Sequence, residues 1–171
     1  MNDTASVAFA LLILRCGVGA VMLAHGIRHI FGGGKIAGTG RWFASLGMKP
    51  GIIHAWLASL TEVGAGVSLV LGFLTPLGAA GVVGTMLVAF VTNHFKNGFF
   101  IFNKGEGYEY VMTLILAGLA LSALGGGKWS VDHAIKLGWT HKTGLEIGFV
   151  GVLGALLLLA GFWRRPPRVE A

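Results

Sequence analysis

The chain has 171 residues, of which 54% are hydrophobic and only 12% charged, and its mean hydropathy is +0.76. An average soluble domain carries about 25% charge, so this composition excludes an ordinary soluble fold and points to one integral membrane domain over 1–171. The formal net charge of +6 sits on residues that flank apolar runs, where it orients a membrane protein and implies no nucleic-acid partner.

Cys16 is the single cysteine, which excludes an intramolecular disulfide and a Cys-based metal site; no metal is expected. The opening MNDTAS has no basic stretch, so a cleaved signal peptide is not expected. Five apolar segments follow, at about 7–30, 52–74, 77–94, 108–124 and 145–163. A spanning helix needs about 20 residues, with roughly 17 to 25 tolerated; the fourth and fifth segments are near the short limit, so five spans are read, with four as the alternative. The 29 glycines fit that reading, since small residues let helices approach closely in lipid.

The first segment ends at GGG, and the link 32–51 holds RWFASLGM. That core reads as a short interfacial helix with Trp42, Phe43 and Leu46 toward lipid. Thr75-Pro76 separates the second and third segments so tightly that they must form an antiparallel hairpin. The link 125–144 resembles the first link in character. Trp56, Trp129, Trp139 and Trp163 lie near segment ends, as an aromatic belt places them. With the N-terminus outside, nine Lys and Arg fall on the inner face: Arg28, Lys35, Arg41, Lys49, Lys96, Lys104, Arg164, Arg165 and Arg168. Three fall outside: Lys128, Lys136 and Lys142. The positive-inside rule then sets the C-terminus in the cytoplasm.

This topology gathers His25, Arg28, His29, His54, Asn93, His94, Tyr108 and Glu109 at one end of the bundle and leaves the other nearly free of such groups. Arg15 and Glu62 lie deeper, where a charge costs at least about 2.5–3.5 kcal/mol and pairs inside the bundle. Arg15–Glu62 is the expected ion pair, with Glu109 as the alternative partner. Arg15, Gly19, Met22, Gly26 and His29 recur at intervals of four and three, which puts them on one helical stripe. Gly144, Gly148, Gly151 and Ala155 form a small-residue stripe suited to helix packing. Each polar feature also has a structural reading: a bridge that locks the bundle, interfacial histidines without a ligand, and His94 as a helix-end cap. GGGK at 32–35 lacks the spacing of a phosphate loop. A haem between His25 and His94 is disfavoured, because nothing fixes the rings.

The segments LLILRCGVGAVMLAHGIRHIFGG, FASLGM, LASLTEVGAGVSLVLGFLTPLGAAG and GYEYVMTLILAGLAL together resemble the DoxX family of small membrane proteins. The resemblance runs over about 8–133 and rests on Arg15, His25-Gly26, Arg28, Glu62 and Gly107-Tyr108-Glu109. It implies an all-α transmembrane helical bundle of four core helices, to which 145–163 adds a fifth C-terminal span. It further implies a bacterial inner-membrane protein related to a thiosulfate:quinone oxidoreductase subunit or to redox-stress complexes.

On this reading the chain is a quinone-interacting subunit with no covalently bound cofactor. Arg15, His25, Arg28, His94 and Tyr108 would bind the ligand, and Glu62 and Glu109 would relay protons, as carboxyls removed from water can. Its partners would be the bilayer, soluble or membrane redox proteins, and further copies of itself. A non-catalytic membrane scaffold is the alternative. A small transporter fits less well, since the chain has no internal repeat or broken helix.

Overall fold

The computed structural model describes residues 3–166, and among these every regular element is a helix. α1 is Asp3–Phe31, α2 Lys35–Ser45, α3 Gly51–Leu71 and α4 Thr75–Ala89. α4 runs on through a π turn at Phe90–His94 and a 3-10 turn at Phe95–Asn97. α5 is Glu109–Leu124, α6 Val131–Ala134 and α7 His141–Phe162. The segment ends move slightly from the sequence reading, each for a local reason. α3 stops at Leu71 because Gly72 turns left-handed at φ 66°, a conformation open to glycine. α7 starts early because the Thr140 hydroxyl caps it, accepting from Thr143 N at 3.1 Å.

Four helices are long and apolar enough to cross a bilayer: α1, α3, α4 with its extension, and α7. α5 has 16 residues, about 24 Å at 1.5 Å per residue, short of a hydrocarbon core of about 30 Å. It still carries the chain from one end of the bundle to the other. The finish of α7 meets the α2–α3 link: Trp163 Nε1 donates to Leu46 O at 3.0 Å and Arg164 N to Gly47 O at 3.0 Å. The α5–α7 link instead meets the α3–α4 turn, where Asp132 N donates to Gly72 O at 2.9 Å. The N-terminal end of the bundle therefore holds the start of α1, the α3–α4 turn and α6. The C-terminal end holds α2, the 98–108 link and the finish of α7. The fold is a multi-pass membrane helical bundle.

Small residues set the helix contacts. α1 and α3 run antiparallel in a register that puts Gly19 against Gly66 and Val70, and Gly26 against Ser59 and Val63. A Cβ on Gly19 would lie 2.9 Å from Gly66 O, and one on Gly66 2.8 Å from Gly19 O, so the backbones touch directly. The α7 stripe packs on α5 and α4. A Cβ on Gly144 would strike Ser122 O and one on Gly151 would strike Ala80 O. Between these contacts Leu11, Val18, Met22, Leu69, Val82, Met86, Val111 and Leu121 form the buried core. Phe9, Ile13, Leu60, Leu116, Leu153 and Leu157 stay exposed on the outer faces, where lipid solvates them.

α2 forms where the sequence placed an amphipathic helix, and Trp42 is exposed. Phe43 turns inward instead, with its ring 6.1 Å from that of His29.

Candidate functional site

The helical stripe on α1 faces inward as its spacing requires: Arg15 is 2% exposed, Met22 is fully buried, and Gly19 and Gly26 on the same stripe are buried too. At its C-terminal end His29 meets Glu62 of α3. His29 Nδ1 and Glu62 Oε2 approach to 3.0 Å, the one ion-pair contact among the described residues. The approach is not aligned as a hydrogen bond, so both atoms are buried without a hydrogen-bond partner. Glu62 is 3% exposed. One turn along α1, the His25 ring lies 6.4 Å from that of His29 and stacks on Tyr110 of α5 at 6.2 Å. Tyr110 Oη stands 3.5 Å from His25 Nε2. Tyr110, His25, His29 and Glu62 thus form a row across three helices, from an exposed imidazole to a buried carboxylate. Trp42 and Phe43 of α2 cover His29 from the bundle end. The row sets two imidazoles and a phenol, each able to donate and accept, beside one buried carboxylate.

The expected Arg15–Glu62 pair does not form, and neither does the Glu109 alternative. Arg15 bonds only to carbonyls: Nη1 donates to Leu69 O at 2.9 Å and Val70 O at 2.5 Å, and Nη2 to Trp129 O. The antiparallel register explains this. It sets Gly26 beside Val63 and Gly19 beside Val70, so Arg15 lies at the C-terminus of α3 while Glu62 lies two turns away. The last carbonyls of a helix have no partner within it and carry the negative end of its dipole. These carbonyls accept from the several donors of a guanidinium, as a carboxylate would. Gly72 makes the space, since a Cβ there would sit 3.1 Å from Arg15 Cζ.

The sequence reading left the N-terminal end nearly free of polar groups, and the structure corrects it. Beside Arg15 it buries Asp132, which accepts from Leu74 N at 2.7 Å, Thr75 N at 3.0 Å, Thr75 Oγ1 at 2.9 Å and Trp139 Nε1 at 3.2 Å.

The other expected site residues lie at the C-terminal end but do not converge. Arg28 is exposed on α1. His94 Nδ1 bonds Glu106 O at 3.0 Å and ties the π turn to the 98–108 link. Tyr108 stacks among Phe90, Phe95 and Phe99, so it serves an aromatic cluster and the tyrosine that reaches His25 is Tyr110. Glu109 begins α5, where the helix dipole favours an anion, with its amide bonded to Phe99 O at 2.9 Å. Among the described residues no group of three or more His, Cys, Asp or Glu converges to hold a metal.

A family model named DoxX matches residues 10–95, half of the chain. The chain belongs to the DoxX family. It matches no curated protein and no solved structure. The DoxX match takes in Arg15, His25, His29 and Glu62, so three of the four residues of the row lie on the family's own segment. It stops before Gly107-Tyr108-Glu109 and Tyr110, where the resemblance read from the sequence continues to about residue 133.

If the row is energetically one unit, its members must couple. A double-mutant cycle of His29→Gln and Glu62→Gln, followed by tryptophan fluorescence during detergent unfolding, should return a coupling of about 0.5–3 kcal/mol. The cycle of Arg15→Met with Glu62→Gln should be additive within about 0.5 kcal/mol.

Proposed function

We propose that this DoxX-family membrane protein is a quinone-interacting subunit of a bacterial inner-membrane oxidoreductase or redox-stress complex. The observation that carries the reading is the Tyr110–His25–His29–Glu62 row. Reducing a quinone to a quinol takes up two electrons and two protons. The row supplies groups that donate and accept protons, and the buried His29 Nδ1 and Glu62 Oε2 have no hydrogen-bond partner of their own. His25 and Tyr110, at the accessible edge, would orient a quinone oxygen. Glu62 and His29 would replenish the protons from behind. The electrons would come from a partner protein, because the chain's one cysteine cannot ligate an iron–sulfur cluster and its sequence has no flavin or haem motif.

The proposed orientation follows the positive-inside rule. The C-terminal end of the bundle holds Arg28, Lys35, Arg41, Lys49, Lys96, Lys104, Arg164 and Arg165, against Lys128, Lys136 and Lys142 at the other. Arg168 lies outside the described residues. The row then lies in the cytoplasmic half of the membrane, with the N-terminus outside.

Native mass spectrometry of the gently solubilised protein tests the reading. A bound mass matching a quinone is expected from the wild type and should fall at least tenfold in occupancy with His25→Ala or Glu62→Gln. A clean protein, or one that carries only protein partners, would favour a scaffold and make the row a structural lock.

A further inference from the structure

The link between α4 and α5 exposes four apolar residues in a row: Phe99, Phe100, Ile101 and Phe102, the last at 79%. Such a run is a liability in a loop that faces water, so its meaning depends on its depth. The helix registers give that depth. Ser122 Oγ of α5 stands 3.5 Å from Pro76 O of α4, and the rings of Phe90 and Tyr108 are 5.2 Å apart. α5 therefore starts beside Phe90, and residues 90–97 run on past it by about 10 Å at 1.5 Å per residue. On the other side of α4, Gly81 faces Thr61 and Ala65 of α3. The same antiparallel register brings Gly51, the first residue of α3, opposite Asn93. α7 ends at this level too, with Phe162 against His54. α3 has 21 residues, about 31 Å, which matches a hydrocarbon core of about 30 Å. The link thus leaves α4 about 6 Å outside that boundary, at Asn97, and enters α5 about 6 Å inside it, at Glu109. The headgroup layer adds about 5–7 Å on each face, so both ends of the link lie at the membrane interface.

The loop suits that layer. The carbonyls of Gly98, Phe99, Phe100, Asn103, Gly105 and Glu106 accept from the link itself, from Asn97 or from Glu109, as an irregular segment at membrane depth requires. Asn97 Nδ2 bonds Gly105 O and Glu106 O, which closes the neck and puts the adjoining Lys96 and Lys104, both exposed, at its rim. Beyond the neck, Phe100 and Phe102 stack at 5.0 Å and Phe99 packs edge-on to Tyr108 at 5.5 Å. Aromatic rings favour the interface, and lysine stems reach from apolar surface to charged headgroups.

We propose that the 98–107 loop is a lipid anchor: the Phe99–Phe102 tip inserts into the bilayer beside the short α5, and Lys96 and Lys104 hold an anionic lipid headgroup above it. Glu106 is the loop's one acidic residue, so two lysines against one carboxylate leave the rim at +1. That charge selects anionic over zwitterionic lipid. A soluble partner fits poorly, because headgroups already screen a loop anchored at this depth. The site is separate from the Tyr110–His25–His29–Glu62 row and does not depend on the quinone reading.

Quenching by lipids with brominated chains tests this. The full-length protein carrying Cys16→Ala and Phe102→Cys is labelled with bimane and reconstituted in phosphatidylcholine vesicles. Brominated phosphatidylcholine should quench the label and aqueous iodide should not, as for a label placed by Leu157→Cys on the outer face of α7, where Leu157 is exposed. Brominated phosphatidylglycerol at the same mole fraction should bind about fivefold more strongly, the effect of one net charge of about 1 kcal/mol at the surface. Lys96→Gln with Lys104→Gln should make the two lipids equal and leave quenching by phosphatidylcholine as it was. Quenching by iodide and not by brominated lipid would place the loop in water and overturn the proposal. Protection from both would show that protein covers the tip, a second copy included, and overturn it as well. A headgroup preference that is absent from the wild type, or that survives the loss of both lysines, would overturn the anionic site. The Leu157 label reports that the bundle is inserted whatever the loop does.

Discussion

Arg15→Met should lower the unfolding free energy by at least about 3 kcal/mol. The substitution keeps the apolar stem of the side chain but removes the guanidinium and strips three acceptors of their donor: Leu69 O, Val70 O and Trp129 O. Hydrogen bonds to a charged group contribute about 1.5–3 kcal/mol, and a buried acceptor left alone costs about 1–3 kcal/mol. Leu69 O also accepts from Gly72 N at 3.2 Å and keeps that bond, so the loss falls mainly on Val70 O and Trp129 O. Arg15→Lys should recover only part of it, because an ammonium is a point donor and cannot span carbonyls on two segments as a planar guanidinium does. The loss should also be local in one respect. Arg15 ties the 125–130 link to α3, so Arg15→Met should speed protease cleavage in that link before the helices separate. Thermal unfolding in detergent, followed by tryptophan fluorescence, gives the first quantity, and limited proteolysis gives the second. A Met variant as stable as the wild type would mean that the arginine only fills space.

That a charge lay buried at position 15 was legible in the sequence, and so was the stripe that carried it inward. Its partner was not, because a carboxylate was sought where carbonyls suffice. The register was not legible either: helices that start level at His29 and His54 would set Glu62 nearer to Arg15 than to His29, whereas the Gly19–Val70 and Gly26–Val63 contacts slide α3 along α1 and bring Glu62 to His29. His29 was on the stripe and opposite Glu62, yet it read as an interfacial residue because its sequence neighbours are Arg28 and a Gly run. Tyr110 carried less signal still. GYEY offers two tyrosines, and which one faces α1 depends on where α5 begins, which periodicity fixes only to within a turn. Once Glu109 starts the helix, Tyr108 falls in the link among phenylalanines and Tyr110 turns to His25.

His54 shows a different gap. Its position near a segment end was clear, but its burial against Phe162 of α7 was not, because no single segment records which helices meet there. The apolar segments themselves were legible because lipid imposes length and composition together. The exceptions lie at their ends, where α4 gains a π turn and a 3-10 turn, and where α5 proves short.

Asp132→Ala should be the second large loss, about 2 kcal/mol or more, and it should leave the His25–His29–Glu62 row untouched. α4 begins at a residue that cannot cap it: Leu74 sits in the left-handed region at φ 51° with no side-chain acceptor. Pro76 has no N–H to satisfy, and Leu77 N and Gly78 N both turn back to Leu74 O. The remaining amides, Leu74 N and Thr75 N, are the ones Asp132 takes. A carboxylate from another segment therefore does what an N-cap side chain does within a helix, for which Ala substitution costs about 0.5–2 kcal/mol. Burial, the added bonds from Thr75 Oγ1 and Trp139 Nε1, and the favourable dipole raise the figure. Asp132→Asn keeps one acceptor oxygen and should lose about half as much. Thr75→Val removes one bond of the four and should lose least. Hydrogen exchange would place the effect at residues 74–75. A loss that instead appeared at α1 and α3 near Glu62 would mean that the two ends of the bundle are coupled, and that the polar knot around Arg15 and Asp132 does more than hold the α3–α4 turn.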